Sequence, residues 1–314
     1  LLARGTIAYC DRFRPRSPLP HPVPSFPPGP EYAVMEYLER RVAMANERLA
    51  EVTGAVEPPQ LSDEIEHVVL AGGKRVRPTV TLLACEAAGG DTEDAVDFAV
   101  GVELVHNASL VIDDIIDRSD VRRGTPSAWA QFGYGPAIVG SDGMLGEAFA
   151  LFSADEQAMQ VVAEAMVELG EGEATELVAK PTNEEEYMTL ARRKTGALFR
   201  AAAELGAVAA GADGFTIEAF GEYAERVGVA FQIRDDVLDA TANADDLGKP
   251  TGVDEAVDRP SLLQVTDLTP EEADQRARDQ ADAALEALET AGIGESDARG
   301  YLRDLAEFVV VRER

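Results

Sequence analysis

The feature that most constrains the fold is a group of three aspartates inside an otherwise apolar segment. Residues 100–116 are apolar on nearly every helical face, yet Asp113 and Asp114 interrupt them and Asp117 follows. Such a run is typical of a buried helix, where a carboxylate is costly unless it has a partner. Asp113 and Asp117 are four residues apart and therefore share one helix face. The pattern predicts a core helix that carries a functional site.

The same spacing recurs in Asp235, Asp236 and Asp239, again on an apolar helical segment. Either group alone fits a helix cap or a solvated face about as well as a metal site. Two groups among residues of the buried type instead indicate two walls of one metal-filled cavity. Carboxylate oxygens on helices suit Mg²⁺, which proteins usually hold through one or two carboxylates together with substrate phosphates. The sequence therefore predicts a magnesium site and a phosphorylated substrate.

The charge balance excludes one class of function and suggests an environment. The chain contains 58 Asp and Glu residues against 28 Lys and Arg residues, so a nucleic-acid-binding surface is excluded. The four lysines are Lys74, Lys180, Lys194 and Lys249. A carboxylate-rich surface with few lysines is the balance expected of a protein that works in very high salt, where repulsion between carboxylates is screened. We take a halophilic source as a hypothesis.

The cysteines, the length of the apolar runs and the N-terminal segment give further expectations about the location and the boundaries of the protein. Cys10 and Cys85 do not form a disulfide framework, which predicts a reducing, cytoplasmic location. No apolar run is expected to reach the length of a membrane span, which predicts a soluble protein. Residues 1–34 are rich in proline and are expected to be a disordered tail, with the natural start at Met35.

From Glu36 onward the signals are those of helices. Thr269, Pro270 and Glu272 fit a capping box with proline at the first helical position. Thr182 with Glu185, and Ser153 with Glu156, fit two further boxes. Strand-like alternation is rare and no linker divides residues 35–314, so we predict an all-α, single-domain helical bundle around a central cavity.

Cations cluster in a short loop between Gly72 and Pro78. This loop carries Lys74, Arg75 and Arg77 in a protein that has few lysines. Cations near a helix C-terminus can simply satisfy its dipole, but that accounts for one cation better than for three. The loop is therefore predicted to bind an anion such as a diphosphate.

Other polar residues lie beside the aspartate groups. His106 lies on the helix face of Asp113, where it is either a satisfied core residue or part of the cavity wall. The further residues beside the motifs are Arg122, Arg123, Lys194, Thr195, Gln232 and Lys249. Two acidic groups and two groups of cations predict a site for two diphosphates, one bridged by metal ions and one held by cations alone.

These motifs resemble those of the trans-polyprenyl (isoprenyl) diphosphate synthase family and are similar to archaeal-type geranylgeranyl diphosphate synthases. The resemblance extends from about Met35 to the C-terminus and rests on two DDxxD motifs preceded by GGKRxRP. It implies the isoprenoid synthase type of fold, Mg²⁺ as cofactor and a homodimer. The implied substrates are isopentenyl diphosphate and an allylic diphosphate of the dimethylallyl, geranyl or farnesyl type.

The resemblance also implies roles for individual residues. The implied metal-binding residues are Asp113, Asp117, Asp235 and Asp239, with Asp236 in support. Isopentenyl diphosphate would be held by Lys74, Arg77, His106 and Arg123. The allylic diphosphate would be held by Arg122, Lys194, Thr195, Gln232 and Lys249. The residues expected to act in catalysis are Asp113, Asp117, Asp235, Lys194 and Lys249.

The chain departs from the family pattern at several positions. Trp129 replaces a common histidine, Glu173 replaces a usual glutamine, and Arg259 lies where a Gly-Lys element is usual. Arg259 is expected to substitute for the missing lysine.

Three readings of the function follow from these motifs. Ala108, five residues before Asp113, replaces the bulky aromatic that stops elongation early in some relatives, so we expect geranylgeranyl diphosphate or a longer all-trans chain. A class I terpene cyclase and a non-catalytic partner subunit of a synthase are the alternatives. The Lys74–Arg77 loop and the second DDxxD argue against the cyclase. The intact aspartates argue against the non-catalytic subunit.

Overall fold

The computed structural model describes residues 30–246 and 260–311, with side chains described for residues 36–241 and 260–311. Within these ranges the all-α prediction is confirmed. The first helices are α1 (Pro30–Gly54), α2 (Pro59–Val69), α3 (Val76–Ala87) and α4 (Thr92–Asp117). A short hairpin follows, in which two strands of two residues each pair, β1 (Val121–Arg122) with β2 (Thr125–Pro126). The later helices are α5 (Ala128–Phe132), α6 (Tyr134–Phe152), α7 (Glu156–Ala174), α8 (Glu184–Ala191), α9 (Ala197–Ala209), α10 (Gly214–Asp246), α11 (Leu262–Val265), α12 (Pro270–Thr290) and α13 (Asp297–Val311).

Two short π-helical segments interrupt the α-helices. The first π-turn, Thr175–Ala179, continues α7, and the second π-turn, Arg192–Gly196, lies between α8 and α9. Single π-turns inside helices occur frequently at functional sites. The second π-turn contains Lys194 and Thr195, two residues that the sequence placed in the substrate site.

Several expectations fall on residues that the structure does not describe. Lys249 and Arg259 lie outside the described residues, as do residues 1–29. The helix α1 begins at Pro30. The disordered tail, the start at Met35 and the single domain 35–314 therefore stay predictions. The description below concerns the compact unit Leu38–Arg314.

Helix α4 lies at the centre of this unit and packs against α3, α6 and α9, while α10 packs against α9 and α12. Most of α4 is buried, including Val102 and Val105 at 0% exposure. Contrary to expectation, α4 is long and apolar enough to cross a membrane by length and composition, and among the described helices it alone meets that test. However, 67% of its most apolar window is buried inside the protein, as in the core helix of a soluble protein.

The close packing of α4 against α6 depends on a glycine. A Cβ atom added at Gly101 would lie 2.5 Å from Cζ of Phe152, the last residue of α6. Phe152 is fully buried, and its ring lies 6.1 Å from that of Phe98. Gly101 therefore makes room for an aromatic pair three turns before Asp113 on the same helix.

The predicted helix starts are correct at one position and wrong at two. Thr269 and Glu272 form the predicted capping box, with Pro270 at the start of α12. Helix α8 is capped by Asn183 rather than Thr182, and α7 by Asp155 rather than Ser153. In both cases a short amide or carboxylate side chain closer to the helix accepts the backbone N–H, as these residue types do readily.

Candidate active site

The first aspartate group lies at the C-terminal end of α4, and its second member has a structural partner. The buried Asp114 carboxylate accepts hydrogen bonds from Nε of Arg122 at 3.0 Å and from Nη2 at 2.5 Å. Arg122 was assigned to the allylic diphosphate on resemblance. The structure shows that one edge of its guanidinium is already held by Asp114, which fixes the direction of the side chain.

The unusual Trp129 supports the same end of α4. Its Nε1 atom donates to the backbone oxygens of Asp114 at 2.9 Å and Ser119 at 3.1 Å. Its ring stacks on Tyr134, with centroids 4.9 Å apart and an angle of 3° between the planes. Trp129 therefore satisfies one C-terminal carbonyl of α4, that of Asp114, and one carbonyl of the segment that follows the helix.

The sequence predicted that all three cations of the loop after α2 bind a diphosphate. Contrary to this expectation, one of them, Arg75, is held inside the protein. Arg75 is 4% exposed and donates to Oε1 of Glu103 at 2.7 Å and to Oδ1 of Asn46 at 2.8 Å. It also donates to the backbone oxygen of Val69 at 2.5 Å. All its contacts lie inside the protein, so Arg75 connects α1, the end of α2 and α4. The sequence could not separate it from its neighbours because the pattern shows charge but not direction.

The other cations of the region have no carboxylate within ion-pair distance among the described residues; they are Lys74, Arg77 and Arg123. Arg77 lies over the ring of Phe199, with Cζ 4.6 Å from the centroid, and its buried Nε has no hydrogen-bond partner. Burial lowers the pKa of Arg77 to about 10, with Glu103 opposing the shift and Arg123 adding to it. Arg123 donates from Nη1 to the backbone oxygen of Gly72 at 2.5 Å. We call Arg77, His106 and Arg123 the cation cluster, and Lys74 is an exposed residue of the loop that precedes Arg77.

His106 lies within this cluster as a neutral group. Burial, followed by the charges of Arg77 and Arg123, holds the pKa of His106 well below its usual range. A neutral imidazole can donate one N–H to an anion but adds no charge. The cluster thus combines unpaired cations with a neutral donor, which is the composition of an anion site.

Lys194, on the second π-turn, is held by two glutamates. Its Nζ atom donates to Oε2 of Glu173 at 3.2 Å and makes a short hydrogen bond with Glu176. Burial opposes the lysine charge, but Asp113, Glu176 and Glu173 together raise the pKa of Lys194. Burial and the nearby Asp113 raise the pKa of Glu173 to about 7, while Lys194 lowers it. We call Glu173, Glu176 and Lys194 the lysine clamp.

The second aspartate group is built into a network of neutral donors. Asp236 accepts hydrogen bonds from Oη of Tyr187 at 2.6 Å and from the backbone N–H of Leu262 at 2.8 Å. Its other oxygen accepts from Gln232 at 3.1 Å, and Gln232 in turn accepts from Thr195 at 2.8 Å. This network joins α10 to α8, to α11 and to the second π-turn.

A cleft of about 470 Å³ lies between Lys194 and the second aspartate group. Its lining includes five residues assigned to the site or its support, namely Lys194, Thr195, Gln232, Asp236 and Asp239. Asp113 lies close enough to affect the pKa of Lys194 from α4. The structure therefore brings the second aspartate group, the lysine clamp and Asp113 together. His106, the member of the cation cluster on α4, lies about 10 Å before Asp113 along the helix.

The carboxylates fit a metal that also takes ligands from a substrate. Among the described residues, no group of three or more His, Cys, Asp or Glu side chains is arranged to hold a metal ion alone. Mg²⁺ commonly uses one or two carboxylates, several waters and phosphate oxygens. Near Lys194, the carboxylates of Asp113, Glu173 and Glu176 outnumber the single cation. That excess of negative charge fits a divalent cation bound together with a diphosphate.

Sequence reasoning missed several residues that shape the site. Glu176, Tyr187 and Phe199 contact predicted site residues, but their spacing in the sequence carries no signal. Glu173 was noticed only as a departure from the family pattern. A glutamate next to a glycine at the end of an apolar helix gives no indication of the lysine that it contacts.

Comparisons with known proteins agree with the geometry. The sequence model of the polyprenyl synthetase family matches residues 58–291. The chain is 34% identical to the short chain isoprenyl diphosphate synthase of Methanothermobacter thermautotrophicus, over 89% of this chain and 99% of the relative. It is 30% identical to the geranylfarnesyl diphosphate synthase of Natronomonas pharaonis, over 87% and 96%.

A solved structure has the same fold. The geranylgeranyl pyrophosphate synthetase of Pyrococcus horikoshii superposes with a TM-score of 0.79 at 33% identity, covering 90% of this chain and 99% of that one. The chain belongs to the polyprenyl synthetase family and is a prenyltransferase. The resemblance that the two aspartate motifs indicated is confirmed.

Proposed function

We propose that this prenyltransferase condenses isopentenyl diphosphate with allylic diphosphates in a Mg²⁺-dependent reaction, with geranylgeranyl diphosphate as the main product. One observation carries this proposal. Two groups of different construction include residues of α4, namely a cation cluster around His106 without carboxylate partners among the described residues, and a carboxylate-rich group around Lys194 and Asp113. A condensation of two diphosphates needs two such sites.

The cation cluster suits isopentenyl diphosphate, the substrate whose diphosphate is retained. Lys74, Arg77 and Arg123 supply positive charge without metal, and neutral His106 supplies an N–H donor. The ring of Phe199, 4.6 Å from Cζ of Arg77, supports the guanidinium through a cation–π contact.

The opposite wall suits the allylic diphosphate, whose diphosphate departs. Asp113, Asp117, Asp235 and Asp239 would hold the magnesium. Lys194, Thr195, Gln232 and Arg122 would contact the diphosphate oxygens, together with Lys249, which lies outside the described residues. Magnesium, when bound, supplies Lewis-acid chemistry that makes the diphosphate a better leaving group.

The proposed reaction breaks the bond between the allylic carbon and the diphosphate oxygen and leaves an allylic cation and inorganic diphosphate. The double bond of isopentenyl diphosphate attacks this cation, and a proton then passes to the departing diphosphate. The chain positions both substrates and excludes water, which would otherwise capture the cation.

Product length would depend on the face of α4 that precedes Asp113. Ala108 and Ser109, five and four residues before the aspartate, have small side chains. Three turns before it, Phe152 and Phe98 fill the space beside Gly101. We assign the limit on chain length to this aromatic pair, with a chain longer than twenty carbons as the second possibility.

Turnover is tested with purified full-length protein, isopentenyl diphosphate, farnesyl diphosphate and Mg²⁺ in molar salt. A linear, longer diphosphate supports the synthase. A hydrocarbon product would support a terpene cyclase instead, and absence of product would support a non-catalytic subunit. Omission of Mg²⁺ or addition of a chelator should abolish product formation.

The length assignment is tested by opposite substitutions. Ala108→Phe or Ser109→Phe should shorten the product toward farnesyl diphosphate, whereas Phe152→Ala should lengthen it. If the Phe152→Ala product stays the same length at good activity, the aromatic pair does not set the limit. If Ala108→Phe leaves the product distribution unchanged, this face of α4 does not determine the chain length of the product.

We further propose a homodimer that is stable in high salt and works in the cytoplasm. Helix α6 exposes Tyr134, Ile138 and Val139 at 50%, 45% and 55%, which supports a contact surface on this helix. The formal net charge of −30 supports weakening of fold and dimer when salt is removed. Sedimentation in molar and in low salt tests both, and a compact dimer that is unchanged in low salt contradicts the halophilic assignment.

A further inference from the structure

The lysine clamp contains an arrangement that the assignment of Lys194 to a substrate does not require. Two carboxylates from neighbouring turns, Glu173 at the end of α7 and Glu176 on the first π-turn, converge on one ammonium group. All three side chains are largely buried, with exposures of 16% for Lys194, 21% for Glu173 and 13% for Glu176. A free lysine side chain samples many rotamers, and two carboxylate acceptors restrict its ammonium group to few of them.

The backbone is shaped to bring these groups together. A Cβ atom added at Gly172 would lie 3.0 Å from the backbone nitrogen of Lys194 and 3.2 Å from Cβ of Arg193. The absence of a side chain at Gly172 thus lets α7 approach the second π-turn. Glu176 and Lys194 lie on the two π-turns of the described chain, so the clamp joins one π-turn to the other.

The lysine clamp differs from the neighbouring ion pairs of Arg193 in burial and in location. Arg193 points to the other side of the second π-turn and pairs with Glu168 at 3.3 Å and Glu171 at 2.9 Å. Glu171 is 52% exposed, as expected of an ordinary surface pair. Lys194, in contrast, lies in the cleft and is influenced by Asp113 from across the site.

We propose that Glu173 and Glu176 are positioning residues of the allylic site, which act by holding the Lys194 ammonium at the wall that faces Asp113. The allylic diphosphate then meets a cation whose place and charge are already fixed, so that little ordering is needed on binding. This inference rests on the proposed function, because it deepens the description of the same allylic site. The charged groups that face Glu173 are Asp113 on α4, Glu176 on the first π-turn and Lys194 on the second.

The test measures steady-state kinetics of the full chain with farnesyl diphosphate and isopentenyl diphosphate varied separately in molar salt with Mg²⁺. Glu176→Gln keeps the size of the side chain but removes its charge, and should raise KM for farnesyl diphosphate about tenfold, since hydrogen bonds to charged groups contribute about 1.5–3 kcal/mol. KM for isopentenyl diphosphate should change by less than about twofold, because Lys194 does not contact the cation cluster.

Glu171→Gln is the matched control. It is the same substitution five residues before Glu176, but it removes only the exposed pair with Arg193. Both Michaelis constants should stay within about twofold of the wild-type values. Circular dichroism and thermal unfolding of each variant confirm the fold, and if Glu176→Gln does not fold, Glu173→Gln takes its place in every comparison.

A double variant tests whether the glutamates act through the lysine. In a Lys194→Met background, Glu176→Gln should have no further effect on KM for farnesyl diphosphate, because there is no ammonium left to position. Equal increases in both Michaelis constants, no change in either, or a full effect in the Lys194→Met background each overturn the inference. Absence of turnover in the wild type overturns the proposed function and this inference together, whereas an active wild type with unaffected variants overturns the inference alone.

Discussion

The two aspartate groups have the same spacing in the sequence, but the protein holds their second members in different ways. Asp114 on α4 is paired with the guanidinium of Arg122. Asp236 on α10 accepts hydrogen bonds from neutral donors, chiefly Tyr187 and the backbone of Leu262. The Asp114 carboxylate therefore has a cation as its partner, whereas the Asp236 carboxylate has only neutral hydrogen-bond donors.

This difference gives the two groups different roles in the structure. The Asp114–Arg122 pair places a cation directly beside the first group. Burial raises the pKa of Asp236, although hydrogen bonds from Tyr187, Leu262 and Gln232 lower it, so this carboxylate lies within a network of polar donors. One motif thus fixes the position of a cation, and the other ties α10 to the elements that surround the cleft. A repeated sequence motif does not imply a repeated electrostatic environment.

The largest expected effect comes from removing the first member of either group. Asp113→Ala and Asp235→Ala should each lower kcat/KM by more than about a hundredfold, because even residues that only support metal ligands contribute about 10–100-fold. Initial rates with Mg²⁺ measure the effect, and circular dichroism checks that the helices remain. Asp120→Ala, at an exposed position just after the first group, is the control and should behave as wild type. A near-native rate in either test variant would show that the metal assignment is wrong.

The second members separate the two environments. Asp114→Asn leaves the Arg122 guanidinium without a counter-ion and should lower the free energy of unfolding by about 1–3 kcal/mol. Asp236→Asn keeps an acceptor for Tyr187 and should lower it by about 1 kcal/mol or less, since all its partners are neutral. Urea unfolding in molar salt measures both values. Equal losses would remove the distinction drawn between the groups.

Substitution of the two lysines that we assign to different diphosphates should raise the Michaelis constants of different substrates. Lys74→Ala should raise KM for isopentenyl diphosphate, and Lys249→Ala should raise KM for the allylic substrate, each by about tenfold. Separate variation of the two substrates gives both constants. Lys180→Ala serves as the control, because Lys180 was not assigned to either diphosphate. Equal effects on both constants from each variant would contradict the separation of the sites.

A further expected effect is the pH dependence of stability at Glu173, which lies near Asp113 of the first aspartate group. Its pKa is raised to about 7, so the folded protein binds the proton more tightly than the unfolded chain. The stabilisation of the folded protein by this protonated carboxyl group is fully present below the ordinary glutamate pKa of about 4.5. It is lost as the pH rises to about 7. In the wild type the free energy of unfolding should therefore fall as the pH rises over this interval. In Glu173→Gln this fall should be smaller by about 1–2 kcal/mol. An unchanged slope in urea unfolding between pH 4.5 and 7.5 would contradict the assigned cause.

The sequence by itself determined the all-α class, the family and the presence of two acidic motifs with cations nearby. These features are local: helical periodicity, the spacing of aspartates on one face and the motif residues can all be read from neighbouring positions. The capping box at Thr269 was predictable for the same reason, since its donors and acceptors lie within four residues. The caps at Asn183 and Asp155 were missed because several candidate residues lie in succession and only the backbone geometry selects one.

Only the tertiary structure decided which charged residues are available to a substrate. Arg75 and Arg77 are two positions apart, yet Arg75 is bonded to Glu103 while Arg77 lies over Phe199. Likewise, the contacts of Glu176 with Lys194 and of Tyr187 with Asp236 join residues 18 and 49 positions apart. The pairing of charges across helices depends on the directions of side chains and on burial, which are set when the helices pack. A sequence pattern records the charges but not which of them the fold has already neutralised.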